Sequence, residues 1–286
     1  EASLRQRYPA AQIKPGIIGT PMTVVDMHGV ILLWYLPGAL CKNRQETIIE
    51  HTARLEPLLR ESVSKHVGGN WRTDPALYSA ADKCVKVPRG CINVSPAWFQ
   101  QGHDTPDDHL ETSSSLRGRD AKFTHPWLED MAESLALINA VMGIIHPELY
   151  LCGRETLLKL GRSTEGESLA YVLRKWGSVF NGAAIIGNRE TPIHRDNNSR
   201  GQWYDLLATV GTYDDAVMEI PVVGIRLDYS GGTMVGLAGR ILSHGVSRSV
   251  GERLCLAFYM RDKVHQRMGT RCAGWMDYGR YGWPGE

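Results

Sequence analysis

Arg253-Leu254-Cys255-Leu256-Ala257-Phe258-Tyr259-Met260-Arg261 alternates without a break. Leu254, Leu256, Phe258 and Met260 make one uniformly apolar file. Arg253, Cys255, Ala257, Tyr259 and Arg261 make the other. Side chains two apart on a strand share a face, so the apolar file is expected in a hydrophobic shell. The second file sets guanidinium, thiol, methyl, phenol and guanidinium in line. A strand wetted on one face would also alternate, but Cys255 and Ala257 are unusual choices for a wet face. The stretch therefore predicts a strand lining an interior.

Other strand-like runs surround it from Val179 onward: Ala183–Ile186, Pro192–Asp196, Met218–Tyr229, Thr233–Leu237 and Arg240–His244. Ser230-Gly231-Gly232 reads as a hairpin turn. The first half of the chain reads differently. An irregular arm over residues 1–22 leads into a β-like stretch, Thr23–Leu36, interrupted at His28-Gly29. Gln45–Val63 has helical apolar spacing, as do Pro126–Ile145 and Gly166–Trp176. His66–Lys122 has little periodicity, and Leu110–Asp120, with three consecutive serines, is expected to be disordered. Helices first and strands after predict an α+β fold: a double-stranded β-helix (jelly-roll) barrel core with flanking helices. One domain is expected over 1–286, with 1–178 mostly helices and loops and 179–286 the barrel.

A chain of 286 residues with 43% hydrophobic and 22% charged residues has ample material for a core. A net charge of +1 argues against a strongly basic nucleic-acid coat but allows a local basic groove. The six cysteines form no CxxC pair and are too sparse for a secreted disulfide scaffold, so an intracellular, reduced protein is expected. No apolar run is long enough for a bilayer, and from the polar N-terminus no secretory leader is expected.

His194 and Asp196 stand two apart in Thr191-Pro192-Ile193-His194-Arg195-Asp196. On a strand they would project to one face. His244 opens another strand-like run far downstream. Two imidazoles and one carboxylate on one face of a metal leave positions open, as in non-haem Fe(II) oxygenases. An HxD pair alone is a common chance match; with His244 and Arg253 the set becomes more specific. Asp205 and Asp228 read as turn or strand-end carboxylates, and His28, His66 and His146 as structural or surface groups.

Three stretches together resemble the TET/JBP family of Fe(II)- and 2-oxoglutarate-dependent nucleic-acid base dioxygenases, fungal TET-like proteins most of all. They are Gly187-Asn188-Arg189-Glu190-Thr191-Pro192-Ile193-His194-Arg195-Asp196, Leu242-Ser243-His244, and Gly251-Glu252-Arg253-Leu254-Cys255-Leu256-Ala257-Phe258-Tyr259. The resemblance covers the C-terminal half. It implies His194, Asp196 and His244 as iron ligands, and Arg253 on the distal carboxylate of 2-oxoglutarate. Cys255 and Arg189 fall near the same cosubstrate. Ala257 falls at the methyl pocket and Tyr259 where a ring stacks on the flipped base. Arg261 departs from the pattern, since many relatives carry His there; Arg supplies donors alone. Asn198 and Ser199 are further candidates for the base edge.

The implied cofactors are Fe(II), 2-oxoglutarate and O2. The implied reaction oxidises the methyl of 5-methylcytosine in double-stranded DNA after base flipping. It extends to N6-methyladenine, where hydroxylation of the N-methyl gives an unstable hemiaminal and so demethylation. Arg117, Arg119, Lys122, Lys263, Arg267 and Arg271 are candidates for DNA contact. A nuclear protein and a monomer are expected, with no membrane and no protein partner. Two other readings stay open: a 2-oxoglutarate oxygenase acting on a small molecule or protein side chain, and a non-catalytic barrel that serves as a binding module.

Overall fold

The computed structural model describes residues 2–100, 105, 108–163 and 167–281. In chain order it contains α1 (Ala2–Arg7), β1 (Met22–Val25), β2 (Ile31–Leu36), α2 (Lys42–Thr52), α3 (Glu56–Ser62), β3 (Gly90–Val94), α4 (Ala121–Asp130), α5 (Ala132–Ile145), α6 (Pro147–Arg162) and α7 (Glu167–Lys175). There follow β4 (Gly182–Gly187), β5 (Thr191–His194), β6 (Asp205–Asp214), β7 (Val217–Ile220), β8 (Ile225–Asp228), β9 (Met234–Leu237), β10 (His244–Val246), β11 (Val250–Tyr259) and α8 (Asp262–Arg267).

Among the described residues, seven strands form a major sheet in the order β1-β2-β9-β6-β11-β4-β3. Four form a minor sheet, β5-β10-β7-β8. Every ladder between these strands is antiparallel. Leu33, Tyr35, Leu207, Met218, Leu227, Val235 and Leu237 form an apolar layer shared by strands of both sheets. On the other side of the major sheet, Leu128, Leu135, Ile138, Met142 and Leu149 of the helices pack with Leu206, Val210, Leu254 and Phe258. This is a jelly-roll core with flanking helices, as the sequence predicts.

β11 behaves as its alternation requires. It lies between β4 and β6. Leu254, Leu256, Phe258 and Met260 are at most 1% exposed and join the helix-side core. Burying each such side chain stabilises the fold by roughly 1.5–3 kcal/mol. The other file, from Arg253 to Arg261, is thereby left to the interior between the sheets.

Elsewhere the structure corrects the reading. Leu110–Asp120 is ordered: Ser113 accepts from the Ser95 N–H at 3.0 Å, and Thr112 donates to the Pro96 carbonyl at 2.9 Å. These hydroxyls are buried against backbone, a use that composition does not separate from solvation. Gln45–Val63 is two helices broken at Ala53–Leu55. The helix expected from Pro126 begins at Ala121, carries Pro126 inside it, and ends before Met131. α6, β3 and β6 were not anticipated, and the arm over 1–22 contains α1. The first residue of the Gly166–Trp176 helix lies outside the described residues. Met218–Tyr229 is a hairpin, β7 and β8. Ser230-Gly231-Gly232 joins strands of different sheets, and Arg240–Leu242 is a turn ahead of β10. Because β1, β2 and β3 precede residue 95, the major sheet draws on both halves of the chain. No helix among the described residues is long and apolar enough to cross a membrane.

Candidate metal centre

β10 pairs with β5 in a register that sets His244 opposite His194. Directly opposed residues on one face of an antiparallel pair hold their side chains close, and here the ring centroids are 4.5 Å apart. Asp196 arrives by another route than the spacing predicts. β5 ends at His194, and the chain turns. The Asp196 N–H then donates to the Gly239 carbonyl at 3.0 Å. The carboxylate still meets both rings, Oδ1 at 3.6 Å from His194 Nε2 and Oδ2 at 3.5 Å from His244 Nε2. One ligand atom from each of the three lies within 4.8 Å of the others.

The far side of each ring fixes its tautomer. His194 Nδ1 faces the Pro192 carbonyl at 3.0 Å, and His244 Nδ1 faces the Leu242 carbonyl at 3.1 Å. A ring nitrogen against a carbonyl carries the proton, so each Nε2 presents a lone pair. Two lone pairs and a carboxylate then converge, which a shared divalent cation resolves. Burial would raise the Asp196 carboxyl, but the adjacent His194, His244 and Arg72 bring it down to about 2. Burial holds His244 below the usual imidazole range, against the pull of Asp196. Two imidazoles and a carboxylate make an N/O donor set that fits Fe(II).

Asp205 stands behind Asp196. It opens β6, is 3% exposed, and burial together with Asp196 raises its carboxyl well above the usual range. A Cβ at Gly239 would lie 2.5 Å from Asp205 Oδ2 and 2.9 Å from Asp196 Oδ2. Glycine there leaves room for the two carboxylates. Asp228 is a strand-end carboxylate, as expected, accepting from Ser230 Oγ at 2.6 Å.

Arg253 is 3% exposed and reaches the interior from β11. Its N–H donates to Asn188 Oδ1 at 2.8 Å, and its carbonyl accepts from the Asn188 N–H at 2.8 Å. Asn188 adopts φ 52°, a left-handed turn that Asn tolerates. The Arg253 guanidinium donates to the Arg189 carbonyl and lies 5.9 Å from the Tyr229 ring centroid. The Tyr229 hydroxyl is 3.6 Å from Cys255 Sγ. Arg253 Nε and Arg189 Nε are buried without a hydrogen-bond partner among the described residues. Two unsatisfied guanidinium donors on touching residues fit a dicarboxylate such as 2-oxoglutarate. Next to Arg253, the Glu252 carboxylate accepts the N–H groups of Val85, Lys86 and Val87 at 2.5, 2.7 and 2.8 Å.

The far end of the file carries Ala257, Tyr259 and Arg261. The Tyr259 hydroxyl donates to Asn93 Oδ1 at 3.3 Å, and a Cβ on Gly182 would lie 2.3 Å from its ring. Arg261 covers this ring at 4.8 Å, and its Nε is buried without a partner among the described residues. Asn198 is exposed, with its carbonyl accepting from the Asp262 N–H at 3.4 Å, next to Arg261. Ser199 is buried, and its hydroxyl has no partner among the described residues.

A loop that the sequence left featureless closes over His194. The Trp71 ring is 4.9 Å from the His194 ring, and the guanidiniums of Arg72 and Arg189 lie over it at 4.3 and 4.8 Å. Trp71, Arg72, Asn93, Asn188 and Tyr229 were all missed. The Gly187-Asn188 pair was a turn signal for one of them; a lone Trp-Arg in a polar loop gives none. The surface cations expected on DNA have local company. Arg117 pairs with Glu111 at 2.8 Å, Arg119 with Glu61 at 2.9 Å, and Lys122 lies 4.8 Å from the Phe123 ring. Arg267 lies 5.4 Å from the Phe99 ring.

Comparison with known proteins follows the same lines. No curated protein matches the chain in sequence. Among solved structures, NgTET1 in complex with 5mC DNA aligns with a TM-score of 0.55 and 12% identity, over 92% of this chain and 89% of that one. OsALKBH1 aligns with a TM-score of 0.34 and 11% identity, over 84% of this chain and 100% of that one. The family model Tet_JBP, described as the oxygenase domain of the 2OGFeDO superfamily, matches residues 95–262, more than half of the chain. The chain therefore belongs to the Tet_JBP family, dioxygenases of the superfamily that works with Fe(II), 2-oxoglutarate and O2.

Proposed function

We propose that this protein oxidises the methyl group of 5-methylcytosine in duplex DNA, after the base has flipped out of the helix. The observation that carries the reading is the single file along β11 and just past its end. It runs from a cosubstrate anchor, Arg253, to an aromatic and donor pair, Tyr259 and Arg261, beside the His194–Asp196–His244 cluster. The fold likeness to NgTET1, solved with 5mC DNA, supports it.

His194, Asp196 and His244 would hold the iron, and Arg253 and Arg189 would receive the carboxylate end of 2-oxoglutarate. Together the iron and cosubstrate supply the activation of O2 that oxidises a C–H bond. The chain's own side chains do the rest. Arg253 orients the cosubstrate by paired hydrogen bonds. Ala257 leaves space for a methyl group. Tyr259 provides a ring for the base, a kind of stacking worth roughly 1–3 kcal/mol per base. Arg261 offers donors to the adjacent acceptors N3 and O2 of cytosine. Adenine offers N1 alone on that edge, so N6-methyladenine is the poorer fit. A DNA substrate goes with the expected nuclear location.

The test is incubation of iron-loaded protein with 2-oxoglutarate and duplexes carrying 5-methylcytosine, N6-methyladenine or neither. Succinate and oxidised bases are measured by mass spectrometry. Oxidised cytosine, with succinate released above the unmethylated control, is expected. Equal succinate from all three duplexes and no oxidised base would overturn the proposal and favour a small-molecule or protein substrate.

A further inference from the structure

Arg72 helps to keep Asp196 ionised and lies within the field of Arg189 and Arg261, yet no ligand-binding role has been given to it. Its backbone is pinned: the Arg72 carbonyl accepts from the Tyr78 hydroxyl at 2.5 Å and from Arg189 Nη1 at 3.3 Å. Its guanidinium is braced on the Trp71 ring at 4.3 Å. That ring packs in turn on a metal ligand, His194, at 4.9 Å. Yet Arg72 is exposed, and it forms no ion pair among the described residues. A guanidinium held this firmly, at the rim and without an ion-pair partner among the described residues, is a prepositioned anion site.

The charge of the cavity asks for such an anion. Arg72 faces Asp196, Arg261 faces Asp205, and Arg253 and Arg189 flank Cys255 on the same interior file. Four guanidiniums against two carboxylates leave excess positive charge even with both carboxylates ionised. A ferrous ion and a dianionic cosubstrate cancel one another, so loading the site does not remove the excess. Arg253 and Arg189 are at most 4% exposed and belong to the deep end. Arg72 is the member at the rim, where a nucleotide whose base is buried still presents its backbone.

We propose that Arg72 binds a phosphodiester of the flipped nucleotide, and that Trp71 holds it in place to do so. This rests on the DNA reading given above. Each phosphate neutralised by a protein cation steepens the salt dependence of binding to duplex DNA by about 0.9 in log K against log salt.

Binding of a methylated duplex to the iron-loaded protein is measured across a salt series for wild type, Arg72→Gln and Arg72→Lys. Arg72→Gln should flatten the slope by about 0.9; Arg72→Lys should keep it. Calorimetric binding of 2-oxoglutarate to the same proteins should be unchanged. A thermal melt establishes that each variant is folded. A wild-type slope in a folded Arg72→Gln overturns the assignment while leaving the DNA reading intact. A wild-type slope together with tenfold weaker 2-oxoglutarate binding overturns it too, and gives Arg72 to the cosubstrate. Absence of duplex binding by wild type removes the DNA reading, and this assignment with it.

Discussion

Asn188 holds more of the site than its size suggests. In a left-handed turn it exchanges two hydrogen bonds with the Arg253 backbone, and its amide donates to the Val87 carbonyl at 2.6 Å. Alanine there loses buried hydrogen bonds and meets the left-handed backbone cost, together roughly 2–4 kcal/mol. Denaturant titration of Asn188→Ala should show that loss, with a raised 2-oxoglutarate requirement in the same variant; wild-type stability would show the turn to be dispensable. Arg253→Ala should raise the requirement by about tenfold or more, since hydrogen bonds to charged groups contribute about 1.5–3 kcal/mol. An unchanged requirement would take Arg253 away from the cosubstrate. Asp196→Ala should abolish turnover and iron binding while the melting transition stays cooperative; full activity would remove Asp196 from the ligand set. At this scale the sequence was legible where chemistry is particular. His194, Asp196, His244 and Arg253 announce themselves by type and order. Trp71 and Arg72 do not, because their role depends on a loop folding back over a distant strand.

Elements were legible in proportion to how unevenly they are buried. β11 is apolar on one side alone, so its alternation reads cleanly. β6, Asp205–Asp214, is buried on both faces over its first six residues and shows no alternation, and it was missed. α6 buries Cys152, Gly153 and Thr156 beside Leu149 and Leu160, a core stripe too small and polar to stand out. β4 shows what a small residue does for its neighbour. Gly182 pairs with Tyr259, whose ring lies where a Cβ would be. Gly182→Ala should push that ring out of place, weakening activity on methylated duplex while 2-oxoglutarate binding holds. Equal losses in both would mean that the strand, and not the ring, had been disturbed.

The molecule as a whole carries a sensitivity to acid away from the His194–Asp196–His244 cluster. His146 and His265 are buried, and burial holds each imidazole down to about 4. Their folded values lie below the unfolded 6.5, so the unfolded chain takes up protons first as the pH falls. The stability they contribute is complete above pH 6.5 and is lost towards pH 4, up to about 3 kcal/mol for each ring. Melting temperature should fall across that window, and less steeply in His265→Gln; identical melts at pH 7 and pH 4.5 would refute the account. Asp196 titrates lower and stays outside the window.

Glu252 gives the architecture one further property. Its carboxylate gathers three backbone N–H groups of the segment ahead of β3, one residue from the buried Arg253. The loop and the start of the β11 file are thus tied into one unit. A chimaera that imports residues 64–89 from a relative must import a matching acid at 252, or the graft will sit loose above an otherwise intact catalytic floor.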